Sequence, residues 1–228
     1  MPIAVKGGRA PVGGAMKLAQ SLRVGLRSVR MNSVPMAVLW SLAGVLALGY
    51  YRCPQVSAAL APVARWQTES GWIAAALNRV VFCGLLPGCF LVAMPSLRPP
   101  KVAWTVAAYC LWGGLWGVAC DAFFKLQTAV FGGGHDLPTL VGKVLVDQLV
   151  WNVLVCMPAN ALFFPWVESG FVRLGSVRRG FLSMLIANWI VWAPVMVAVY
   201  AFPLPLQVQL VGLAGSLWML VALRSGRR

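Results

Sequence analysis

Residues 142–166 read GKVLVDQLVWNVLVCMPANALFFPW, a stretch apolar enough to cross a bilayer that nevertheless carries Asp147, Gln148, Asn152 and Asn160. A polar group in hydrocarbon is costly and normally faces a partner helix or a wet cavity. Gln148, Asn152, Cys156 and Asn160 recur at every fourth residue, so on a helix they form one slowly drifting stripe. The stretch therefore predicts a membrane helix with a polar side, and a polar interior organised against that side.

The rest of the chain agrees with a membrane setting. Of 228 residues 60% are hydrophobic and 11% charged, with a mean hydropathy of +0.79. Soluble domains are nearer half apolar and a quarter charged. The apolar residues come in blocks of about twenty, the length that spans the hydrocarbon core. Short alternating segments of the kind a membrane β-barrel needs are missing. The expected fold is all-α, a polytopic transmembrane helical bundle of about six spans: 34–50, 71–95, 102–121, 144–166, 181–202 and 207–223. Pro203-Leu204-Pro205 makes the turn between the last two. Three regions follow: a basic amphipathic segment (1–33), an extra N-terminal span (34–50) and the main bundle (71–223).

Nineteen basic residues against five acids give a formal charge of +14. The bases sit at the two ends and between apolar blocks, which is a topology signal before it is a nucleic-acid patch. With the N-terminus inside, the inner segments hold Lys6, Arg9, Lys17, Arg23, Arg27, Arg30, Arg98, Lys101, Arg173, Arg178, Arg179, Arg224, Arg227 and Arg228. The outer segments hold Arg52, Arg65, Lys125 and Lys143, and Arg79 is intramembrane. That asymmetry puts both termini on the cytoplasmic or matrix side. Leu18, Leu22, Leu26 and Val29 share one helical face while Arg23, Arg27 and Arg30 share another. Such a segment is either a cytoplasmic interfacial anchor or an organelle-targeting leader. The membrane expected is a bacterial inner membrane, the alternative a mitochondrial inner or other organelle membrane.

Small-residue pairs Gly84/Gly88 and Gly113/Gly117 have the spacing that lets helix backbones approach, and read as packing. Trp40, Trp66, Trp72, Trp104, Trp166 and Trp218 fall near span ends, as an interfacial aromatic belt would.

Enzyme motifs are missing: no HExxH, GxSxG, Walker loop or GxGxxG is present. Phe131–His135 is a glycine-rich outer loop without the Lys-Ser/Thr of a phosphate cradle. The cysteines (53, 83, 89, 110, 120 and 156) form no CxxC pair and read as buried apolar thiols. No catalysis, metal or cofactor is expected. What remains is intramembrane polarity: Arg79, Asp121, Asp147, Gln148, Asn152, Asn160 and Asn188. Lys143 lies one turn before Asp147 on the same face. Two readings stay open. In one these groups line a polar path; in the other Arg79 pairs with Asp121 or Asp147, and the amides hold the bundle together.

Residues 117–218 resemble the Mpv-seventeen / peroxisomal membrane protein family of small integral membrane proteins. Gly117-Val-Ala-Cys-Asp121-Ala-Phe123-Phe124-Lys125 resembles its Gly-Pro-x-x-His-x-Trp-Tyr element. Lys143-Val-Leu-Val-Asp147-Gln148 matches its Lys-x-x-x-Asp-Gln motif. Asn188, Trp192, Pro194, Tyr200, Phe202, Pro203 and Trp218 follow its C-terminal signature. The departures mark a divergent member: Val118 replaces the proline, Asp121 the histidine, Phe123-Phe124 the Trp-Tyr pair, and Pro194 comes one place late. The signature's Gln and Asn fall on Met196 and Val199, and its arginine on Gln207.

The resemblance implies a weakly selective channel or facilitator for small solutes. The alternative is a non-transporting scaffold, or an assembly factor in stress and homeostasis. The partners expected are membrane lipids, small-molecule solutes and a second copy of the chain, with no nucleic acid.

Overall fold

The computed structural model describes residue 23, residues 33–94 and residues 99–225, with the side chains of 35, 176, 179 and 218–225 left aside. The expectations for 1–33 (other than the exposed, helical Arg23), for Arg98, Arg179, Arg224, Arg227 and Arg228, and for the Trp218 side chain lie outside the described residues.

Every regular element among the described residues is helical, and the fold is an all-α bundle. In chain order the helices are α1 (Ser33–Arg52), α2 (Pro54–Ser70), α3 (Trp72–Ala93), α4 (Val102–Phe131), α5 (Leu137–Ser169), α6 (Leu174–Tyr200) and α7 (Leu204–Ser225). Four of them, α3 to α6, are long and apolar enough to cross a membrane, and the bent pair α1–α2 makes a fifth if counted as one span. The chain is a membrane-embedded bundle.

The bounds of the expected spans shift at several places, each with a local cause. Residues 54–70, read as a loop, form α2, which meets α1 at 102°. Cys53 is extended because the residue before a proline avoids the helical region, and Pro54 then opens α2. A second corner at Gly71 (φ +54°), a conformation that glycine adopts without strain, leads into α3. No breaker follows Asp121, so α4 runs ten residues further, to the Gly132–Gly134 run. Lys125 is therefore a helical residue and not a loop charge, and so is Lys143, because α5 begins at Leu137. At the start of α5 the Asp136 carboxylate accepts the Thr139 N–H at 3.0 Å and its hydroxyl at 2.8 Å, with Pro138 in the first turn. Those donors hold the Asp136 carboxyl below its ordinary range. The last helix starts inside the expected Pro-Leu-Pro turn, at Leu204, and runs to Ser225.

Two spans are interrupted. α3 widens into a π-helix over Val80–Leu85, and α5 does so over Asp147–Cys156. Each widening ends two residues before a proline, Pro87 and Pro158. A proline inside a helix removes one hydrogen bond and crowds the carbonyl four residues earlier; a wider turn just upstream relieves that crowding.

The core joins α1, α4, α6 and α7 through Met36, Leu39, Phe124, Val191, Val195, Tyr200, Val208 and Val211. α3 and α4 touch backbone to backbone. A Cβ on Gly113 would stand 2.6 Å from the Arg79 carbonyl oxygen, and one on Gly117 2.3 Å from that of Ala75. A Cβ on Gly84 would stand 2.7 Å from the Cys110 Cα. The two GxxxG pairs are thus the facing halves of one helix contact. Trp66, Trp72, Trp104 and Trp166 are exposed near helix ends. Trp40 departs from the belt: it is mid-helix and half-buried, and its indole donates to the Val191 carbonyl at 3.0 Å. That carbonyl adjoins Ile190, whose oxygen Pro194 leaves without its usual donor.

Candidate functional site

Two buried polar chains run through the bundle. The first starts on α4 at Asp121, which is 5% exposed. One carboxylate oxygen accepts Lys125 Nζ at 2.7 Å, and the other accepts Gln67 Nε2 at 3.1 Å. Gln67 Oε1 in turn accepts Gln209 Nε2 at 2.6 Å, and Gln209 Oε1 accepts Asn78 Nδ2. The helices α4, α2, α7 and α3 are thereby tied in sequence. A carboxylate can only accept, so Asp121 sets the direction of every amide after it. The chain ends on Asn78 Oδ1, which is buried and has no donor among the described residues.

The second chain starts on α5, where Asp147 opens the π segment. Its carboxylate accepts Gln148 Nε2 at 2.6 Å and the Tyr200 hydroxyl of α6 at 3.2 Å. Gln127 of α4 donates to that hydroxyl at 2.6 Å, and Asn152 donates to Gln148 Oε1 at 3.3 Å. Trp189 caps the arrangement by donating to the Gln148 carbonyl at 2.8 Å.

Arg79 sits at the start of the other π segment and is 6% exposed. Its terminal nitrogens reach Cys83 Sγ at 3.5 Å and Cys120 Sγ at 3.4 Å, while Nε has no partner among the described residues. Thiols are weak acceptors. All five acidic side chains lie within the described residues, and the one ion pair there is Lys125–Asp121. Arg79 is therefore paired with neither Asp121 nor Asp147, the pairing that one of the two open readings required. Lys143 is buried and likewise makes no ion pair with Asp147. Room for the guanidinium comes from α7: a Cβ on Gly215 would lie 3.2 Å from Nη1, and one on Gly212 would lie 3.6 Å from Cδ and 2.0 Å from Asn78 Oδ1.

Of the residues singled out in the sequence, Asp147, Gln148 and Asn152 are joined in one chain, Asp121 heads the other, and Arg79 lies apart from both. Asn160 and Asn188 are half-buried and belong to neither chain. Within the family motifs, Gly117 packs on Ala75, and Trp192 comes within 4.0 Å of a Cβ on Gly215. Pro194 lies inside α6 and Pro203 in the turn before α7. Sequence reading missed Asn78 as a participant, and Gln67, Gln127, Gln209, Gly212 and Gly215 altogether. The available signal was two glutamines and two glycines within 207–215, in an otherwise apolar segment.

No protein-family model matches the chain, and neither a curated protein nor a solved structure matches it. The site's chemistry is read from its own residues.

Proposed function

We propose that the protein is a membrane facilitator for small solutes, and that passage runs where α3, α4 and α7 meet around Arg79. The observation that carries this is a buried guanidinium without a carboxylate. A charge kept inside a membrane bundle is costly, and such residues mark ion and substrate pathways. Without an internal counter-charge, Arg79 favours anions over cations. The likeness of 117–218 to the Mpv-seventeen family supports the same reading. The setting we propose is a bacterial inner membrane, with both termini on the cytoplasmic side.

Solute efflux from liposomes holding the purified protein tests this, with Arg79→Gln beside the wild type. Flux above empty liposomes, with its preference for anions reduced in a folded Arg79→Gln protein, is the expected result. No flux from folded wild-type protein contradicts it.

One observation favours a second reading, a non-transporting scaffold. Gln67 and Gln209 bond to each other and to Asp121 and Asn78 across four helices, and Tyr200 and Gln127 join Asp147 of α5 to α6 and α4, as braces between helices do. Under that reading Asp147→Asn alters stability and no flux exists to change.

A further inference from the structure

We propose that Arg79 and Asn78 together form a binding site for a small planar oxyanion carrying one O–H group, bicarbonate being the simplest of this class. The proposal deepens the facilitator reading and rests on it only for the route by which the ion arrives.

Two independent shortages meet at this place. The first is of negative charge. The guanidinium offers five N–H groups, its two sulfur contacts use two of them, and Nε is buried with no acceptor among the described residues. Guanidinium groups recognise planar oxyanions through paired N–H donors. The second shortage is of a hydrogen-bond donor. The amide order running from Asp121 through Gln67 and Gln209 leaves Asn78 its oxygen and not its nitrogen at the open end. Asn78 Oδ1 and the Arg79 side chain flank the same glycine, Gly212. An anion made only of acceptors answers the guanidinium and sets lone pairs against Asn78 Oδ1. An oxyanion with one O–H answers both groups.

Nitrate is the matched probe: it has the same charge and trigonal shape as bicarbonate, without the proton. The full chain is unfolded thermally in detergent at about pH 8, with sodium bicarbonate or sodium nitrate replacing sodium gluconate at constant ionic strength. A ligand held only by the folded state raises Tm with its concentration. Bicarbonate is expected to act at about tenfold lower concentration than nitrate, the worth of one hydrogen bond. Arg79→Gln is expected to abolish both responses. Gly212→Ala, whose methyl displaces the Asn78 oxygen, is expected to bring bicarbonate down to the nitrate level. No bicarbonate response in the wild type, equal responses to the two ions, or a response that survives in Arg79→Gln would each overturn the site. The wild-type comparison decides even where a variant fails to fold. Binding without flux in liposomes removes the transport reading and leaves this site standing; flux with equal responses does the reverse.

Discussion

Arg79 and Asp147 occupy the same kind of place and are treated in opposite ways. Each stands at the N-terminal edge of a π segment that ends two residues before a proline, and each is at least nine-tenths buried. Asp147 is answered from two sides, by Gln148 and by the Tyr200 hydroxyl. Arg79 is answered by two thiols and is given space by two glycines. A fully answered charge is part of the brace. One left with weak partners has capacity for something the chain does not supply. The comparison teaches that burial and helix distortion alone do not mark a site; the pattern of unmet hydrogen bonds does.

The largest effect comes from breaking the wall behind Arg79. Gly117→Ala puts a methyl 2.3 Å from the Ala75 carbonyl oxygen, where backbone and not a movable side chain must give way. We expect a loss of about 3 kcal/mol, the upper range for overpacking, read as a lower denaturation midpoint in detergent. Next, Asp147→Leu strands the Tyr200 hydroxyl and the Gln148 amide. That should cost about 2 kcal/mol, two membrane hydrogen bonds at the stronger end, with Asp147→Asn costing less. The comparison sharpens with Arg79→Met, which we expect to change stability with the opposite sign. In gluconate it should gain about 1 kcal/mol, because an apolar side chain carries no charge to desolvate. A loss equal to that of Asp147→Leu would show that Arg79 is also part of the brace. The smallest effect is at the edge of the bundle. Asp136 has a depressed carboxyl pKa, so its contribution is present above the ordinary aspartate range and is lost as pH falls through the depressed value. Asp136→Ala should therefore lower Tm slightly at neutral pH and not at strongly acid pH, as a pH series of melts would show.

Much of this plan was legible in the sequence. Blocks of apolar residues announced a helical membrane bundle, and paired glycines four residues apart announced close helix packing, which the structure places between α3 and α4. The unusual polarity of 142–166 led to Asp147, Gln148 and Asn152, which are joined. Pairing was not legible, because it depends on which helices touch. Gln67 lay in a segment that read as loop, so its bond to Asp121 could not be foreseen. Lys143 and Asp147 have ion-pair spacing and are joined by an ordinary α turn, yet no pair forms, and the Asp147 carboxylate is engaged by Gln148 and Tyr200 instead. Nothing in the spacing of Gly212 and Gly215 tells that Asn78 and Arg79 stand against them.

The central claim is that Arg79 lies on the wall of an anion-favouring path, and a reversal potential tests it most directly. Purified protein in a planar bilayer, under a salt gradient, should reverse at a potential displaced toward the anion equilibrium value, and Arg79→Gln should move it back toward zero. No conductance above the bare bilayer from folded protein, or a reversal potential that Arg79→Gln leaves where it was, would contradict the account.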